Sequence, residues 1–249
     1  MAKYEVKNGI GIVPEGVTKL EHSAFYNCTE LKEIVLPESV KFIGTMAFSG
    51  CSALAKITLP AGLTGMGEEV FDSCTSLESI VIPSGVDCIE DNSFVDCTSL
   101  KKVVLHEGLK QIRAAAFKGC SKLSDISLPS TVEEIGPSAF EDCSSLTSIV
   151  IPKTVTIIEE GVFRGCKSLE NVIFEDGIQL TSINSDEFAN CTSLTSIEIP
   201  NSVTIIGSNA FYNCTKLTIY CEATSKPSGW NSNWNYSNCP VVWDYKNQA

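Results

Sequence analysis

The apolar residues of this chain fall on a fixed beat. Cysteines at Cys28, Cys51, Cys74, Cys97, Cys120, Cys143 and Cys166 stand 23 residues apart; the step lengthens to 25 at Cys191 and returns to 23 at Cys214. Phenylalanine keeps the same interval three residues earlier, from Phe25 to Phe211, and leucine three residues later, from Leu31 to Leu217. The full unit reads L-x-x-I-x-I-P-x-x-V-x-x-I-G-x-x-A-F-x-x-C. A unit this short cannot enclose its own apolar face, so copies must stack and bury one continuous core. The pattern predicts a repeat solenoid of about nine 23-residue coils, elongated and right-handed.

Each coil divides into three pieces. The I-x-I segment alternates with the period of a strand, so Ile80 and Ile82 should point inward and Val81 outward. Proline follows at Pro14, Pro37, Pro60, Pro83, Pro129, Pro152 and Pro200; lacking an N–H, it ends the strand and turns the chain. A second apolar pair, such as Val132 and Ile135, should line the opposite wall as another short strand. The S-A-F-x-x-C stretch closes the coil, and a short helical or 3₁₀ turn is expected there. Strands from successive coils should run in parallel.

The spacing L-x-x-I-x-I with a cysteine-containing turn resembles a leucine-rich repeat. The 23-residue form, with I-P, V-x-x-I-G and A-F-x-x-C, is similar to the Treponema-type, BspA-like surface proteins of bacteria and some parasitic protists. The resemblance runs from about Val17 to Leu217. It implies a non-enzymatic, protein-binding scaffold of the adhesin kind, displayed on the cell surface or secreted, with a protein of the host matrix or of a neighbouring cell as partner.

The organisation follows: residues 1–16 as an N-terminal capping coil, 17–217 as the solenoid and 218–249 as an aromatic C-terminal cap. Departures from the unit mark individuality. "EDGIQL" at residues 175–180 carries two extra residues and puts Glu175 where proline is expected; His106 also replaces a proline, and Cys88 is out of register. After Leu217 the pattern stops, and ending there would expose the apolar cross-section of the last coil.

Twelve cysteines suggest a disulfide framework, but nine hold one equivalent position. Stacked neighbours would have parallel Cβ vectors, poorly aimed for a bridge, so these read as small buried hydrophobes whose S–H meets a turn carbonyl. Cys221 and Cys239 bracket the tail and could form a disulfide or stay free. With no C-x-x-C pair and only two histidines, no metal site is expected. His22 and His106 lie more than three coils apart and cannot share a site; the serines sit in turns, the acids are dispersed and the glycines lack phosphate-loop spacing. No active site and no cofactor are expected.

A net charge of −12 argues against nucleic acid and anionic membrane as partners. No apolar run of 18 residues is present, so no membrane insertion is expected, and "MAKYEVKNG" has no apolar stretch of a signal peptide. The protein either stays inside the cell, as an interaction module, or this stretch begins after an export signal. A monomer is expected. Three N-C-T strings, at Asn27, Asn190 and Asn213, match the glycosylation sequon but fall out of the repeat consensus.

Two surfaces remain as candidates. The outward column of the sheet should carry Val35, Thr58, Val81, Val104, Ser127, Val150, Ile173 and Glu198, five of them aliphatic, which suits either strand propensity or a partner-binding stripe. The column beside it, from Glu33 to Ser196, is polar and of mixed sign, as an interface rim would be. In the tail, Trp230, Trp234, Tyr236 and Trp243 stand among asparagines, which suits a lid over the last coil or a carbohydrate-binding module.

Overall fold

A computed structural model describes residues 3–247. The chain winds into a parallel β-solenoid of about ten turns of some 23 residues. Each regular coil contributes a strand of two to four residues to a first wall, such as Glu33–Val35 or Ser148–Ile151, and a two-residue strand to a second wall, such as Phe42–Ile43 or Glu134–Ile135. The strands pair coil to coil in parallel register, Glu33 with Lys56 and Ile34 with Ile57, for example. Inside lie the L-x-x-I-x-I residues from one wall, the V-x-x-I residues from the other, and the phenylalanines between. All nine phenylalanines of the repeat are buried and stack from coil to coil at centroid distances of 5.2–5.7 Å.

The turn expected to be helical is not. No α-helix occurs among the described residues, and the one 3₁₀ segment is Tyr245–Asn247. In the S-A-F-x-x-C stretch alternate N–H groups take different partners: Ser23, Phe25 and Asn27 donate to carbonyls of the next coil, at Thr45, Ala47 and Ser49, while Ala24, Tyr26 and Cys28 close three-residue turns within their own. A helix would spend every N–H on its own backbone; here half stitch the coils together. The geometry requires left-handed residues at two places in each regular coil. The residue before each repeat cysteine has positive φ throughout: Asn27, Gly50, Ser73, Asp96, Gly119, Asp142, Gly165, Asn190 and Asn213. All but Ser73 are glycine, asparagine or aspartate, the residue types that enter that region most readily. The recurrent asparagines of the N-C-T strings thus have a backbone reason.

Both ends differ from the expected plan. The N-terminal segment is a hairpin, Glu5–Lys7 with Ile10–Ile12, turned by Asn8 and Gly9 at φ of 54° and 84°; its second strand joins the first wall beside Glu33–Val35. Tyr4 lies on Phe25, extending the aromatic stack. At the other end the coil pattern continues past Leu217. Thr218–Cys221 and Val241–Trp243 add two strands to the first wall, and Gly229–Trp230 adds one to the second. Trp234 packs edge-on against Phe211 at 6.0 Å, Asn238 has the left-handed φ of 53°, and Cys239 follows it. The tail is a further coil in altered spelling: Leu217 to Ile219 is one residue shorter than Leu194 to Ile197, and Cys214 to Cys239 is two longer than the repeat.

This placement corrects the reading of Cys221 and Cys239 as a bracketing pair. Cys221 occupies the inward strand position opposite Ile199, whereas Cys239 donates its S–H to the Cys214 carbonyl at 3.4 Å, in the turn column. All twelve cysteines are free, and all but Cys88 are buried. From Cys51 to Cys214 each repeat thiol donates to the phenylalanine carbonyl of the preceding coil at 3.0–3.2 Å.

Candidate functional site

The first wall presents its outward face as a ruled surface. Period-two alternation buries Ile34, Ile80, Ile149 and Val172 and turns the intervening residues out. Val35, Val81, Val150 and Ile173 are 62%, 55%, 44% and 52% exposed; Thr58, Ser127 and Glu198 are also exposed, and Val104 is half-buried. The column is longer than the repeat suggests: Ile12 stands before Val35, and Tyr220 and Val242 follow Glu198 in register. The tail residues escape a repeat-based reading because their spacing to Leu217 is shortened by one.

The flanking column pairs internally. Lys56 meets Glu33 at 3.4 Å and Lys102 meets Asp125 at 2.7 Å, all four side chains largely solvated. Such pairs add little stability, but they fix a charge pattern along the rim.

Two recesses open onto this face. The strand ladder is interrupted between Lys56–Thr58 and Ser79–Val81, and a groove of about 550 Å³ lies there, lined by Ile57, Leu59, Val81, Pro83 and His106. A second cavity of about 480 Å³ lies at the "EDGIQL" insertion, lined by Ile173, Phe174, Asp176, Glu198, Glu222 and Lys246. There the strands Asn171–Phe174 and Ser196–Ile199 pair only at Asn171–Ser196 and Val172–Ile197, because two extra residues push the chain out after Phe174. The Tyr245 hydroxyl donates to Glu198 at 2.6 Å and Lys246 pairs with Glu222, so the 3₁₀ turn borders this cavity.

The tail aromatics divide. Trp230 and Trp234 are 3% and 6% exposed, 4.7 Å apart, and Trp243 packs half-buried against Trp230. The Trp230 indole N–H donates to the Val203 carbonyl, where it closes the end of the second wall. The rings of Trp230 and Trp234 seal the core and are not available to stack on a sugar, which corrects the carbohydrate reading for these two; Trp243 is half-buried, and of the four residues only Tyr236 is well exposed, at 61%.

One residue passed over by the sequence reading is Glu187. It fills the column otherwise held by Ala24, Ala47, Val70, Ser93, Ala116, Ala139, Val162 and Ala210, is 1% exposed, and neither carboxyl oxygen has a hydrogen-bond partner. Burial, reinforced by Glu159 and Glu160 nearby, pushes its carboxyl well above the ordinary range. The signal was in the text: "SDEF" where other coils read S-A-F. Among the described residues no three His, Cys, Asp or Glu side chains group to hold a metal, and no helix is long and apolar enough to cross a membrane.

Comparison with known proteins agrees with this architecture. The family model for the BspA type leucine rich repeat region matches six copies over residues 10–122 and 87–218. No curated protein matches. Among solved structures, a leucine-rich repeat protein from Bacteroides ovatus is 27% identical, with 93% of this chain and 73% of that one aligned at a TM-score of 0.53. The T. pallidum leucine-rich repeat protein is 31% identical over 75% of this chain and 78% of its own, at 0.50. The pneumococcal vaccine antigen PcpA shares the fold at 23% identity, covering 90% and 70%, at 0.57. With most of its length matched by that family model, the chain belongs to the BspA-type leucine-rich repeat family.

Proposed function

We propose that the protein is a non-enzymatic scaffold that binds another protein through the outward face of its first wall, as an adhesin displayed at a bacterial surface. The observation that carries this reading is the column from Val35 to Ile173. It holds branched aliphatic side chains, four of them 44–62% exposed, with Val81 in register beside Val104 and Val150 beside Ile173, between a charged rim and two recesses. Contiguous exposed apolar surface of this kind marks partner sites, and a broad face suits an extended protein better than a small molecule. Leucine-rich repeat proteins are in general non-catalytic and mediate protein interactions. Surface display rests on the family. The alternative, an interaction module inside the cell, would use the same face.

The test pairs Val81→Lys with Val104→Lys. Both side chains leave the inward residues Ile80, Ile82 and Val103 untouched. The labelled protein is applied to a panel of immobilised extracellular-matrix proteins and to intact cells. The parent should bind at least one surface and the double variant, with an unchanged melting curve, should lose at least tenfold. A folded double variant that binds like the parent would overturn the assignment.

A further inference from the structure

We infer that the protein carries a second site, for a neutral carbohydrate, on the turn ridge of its last coils, separate from both the sheet face and the buried tryptophans. Tyr212 and Tyr236 are 44% and 61% exposed and lie side by side, ring centroids 5.9 Å apart. Next to them a shallow cavity of about 260 Å³ is lined by Arg164, Asp186, Ala189, Asn190, Asn209 and Tyr212.

The chemistry of this lining selects its ligand. A pyranose offers an apolar C–H face and a rim of hydroxyls, each both donor and acceptor. An exposed aromatic ring meets the first; a carboxylate, amides and a guanidinium meet the second, with planar groups able to hold vicinal hydroxyls in pairs. Among the described residues, neither the Asp186 carboxylate nor the Asn209 amide has a hydrogen-bond partner, so both are free to receive hydroxyls. The Arg164 charge is met by Glu141 at 3.6 Å and the Asp186 carboxylate adds a negative charge to the lining, which favours a neutral sugar over an acidic one. A protein partner would need an apolar anchor pocket at its centre, and Ala189 is the one aliphatic side chain here.

The platform is also rigid. Asp186, Asn190, Asn209 and Asn213 all sit at left-handed turn positions, with φ of 55–65°. Asn213 donates through its side chain to Asn190 at 3.0 Å, and its N–H donates to Ser237 at 2.7 Å. Polar groups pre-set by the backbone lose little entropy on binding. At the other end of the same ridge Tyr26 is equally exposed, at 46%, and lies outside this lining, which makes it an internal control.

The test is a glycan array of neutral oligosaccharides built from hexose and N-acetylhexosamine units, probed with the full chain. Binding to at least one oligosaccharide class is expected. Tyr212→Ala and Asp186→Asn should each lower that signal at least tenfold, while Tyr26→Ala leaves it unchanged. Asparagine suits a left-handed position, so Asp186→Asn keeps the backbone and reads the carboxylate alone. No array signal from the parent, or a signal that survives both variants, overturns the site. Neither result bears on the Val81/Val104 face.

Discussion

At the scale of single residues, the account rests on positions where side chain and backbone demand different things. Glu187 is the plainest. Its folded carboxyl holds a proton through a range in which the unfolded chain, near the ordinary 4.5, has released it. The folded state therefore binds more protons, and stability must fall as pH rises from about 4.5 toward the raised value, by at most about 1.4 kcal/mol per pH unit. Below that window the ionisation penalty vanishes. Glu187→Ala, which restores the residue of the neighbouring coils, should raise the melting temperature at pH 8 and flatten this slope; an unchanged pH profile would mean the carboxyl reaches water. Asp96 is a second case: at φ 54°, replacement by a branched Val should cost about 1–2 kcal/mol or more, and by Asn or Gly little, in denaturant unfolding. The thiols are a third. Burial pushes Cys51, Cys214 and Cys221 up to about 12 and the half-buried Cys88 to about 11. Native protein at pH 8 should label slowly, Cys88 first, and all twelve should react after denaturation without reductant.

At the scale of elements, legibility tracked periodicity. Both walls could be read because inward residues repeat every second position in the strand and keep the same offset in each coil; Ile80, Ile82, Val132 and Ile135 lie where the pattern puts them. The turn was misjudged because A-F-x-x-C is compatible with a helix until the partners of its N–H groups are known. The clue, Asn, Asp, Gly or Ser before each cysteine, reports a backbone angle rather than a hydrophobic face. The last coil was hidden for another reason: Trp234 replaces phenylalanine, and its spacings differ by one and two residues, so the packing persists while the text does not. The outward column was legible from alternation alone, whereas the groove at the Lys56–Thr58 and Ser79–Val81 interruption is marked in the sequence only by His106 in place of a proline. The tail's structural role makes a firm expectation. Removing residues 218–247 would uncover Ile197, Ile199, Ile206 and Phe211, so the shortened chain should melt well below the parent or aggregate. Truncation without loss of melting temperature would show that Trp230 and Trp234 seal nothing.

At the scale of the whole molecule, a solenoid separates the tasks of holding together and of recognition. Stability is shared between neighbours along the stack, so outward residues on either wall are free to vary. The second wall also exposes branched residues, Ile157 and Ile205 at 45% and 50%, but they stand two coils apart, with Ser182, the register partner of Ile205, in the coil between. On the first wall five of the seven outward residues from Val35 to Ile173 are aliphatic, with Val81 beside Val104 and Val150 beside Ile173, and two recesses open beside them. That contrast is the reason to assign binding to one wall, and methyl resonances can read it directly. With isoleucine and valine methyl groups labelled, a matrix or cell-surface protein captured in the panel is added to the full chain. The account predicts that signals of Val81, Val104, Val150 and Ile173 shift or broaden while those of Ile157 and Ile205 stay in place. Perturbation of Ile157 and Ile205 with the first-wall methyls unmoved would contradict it.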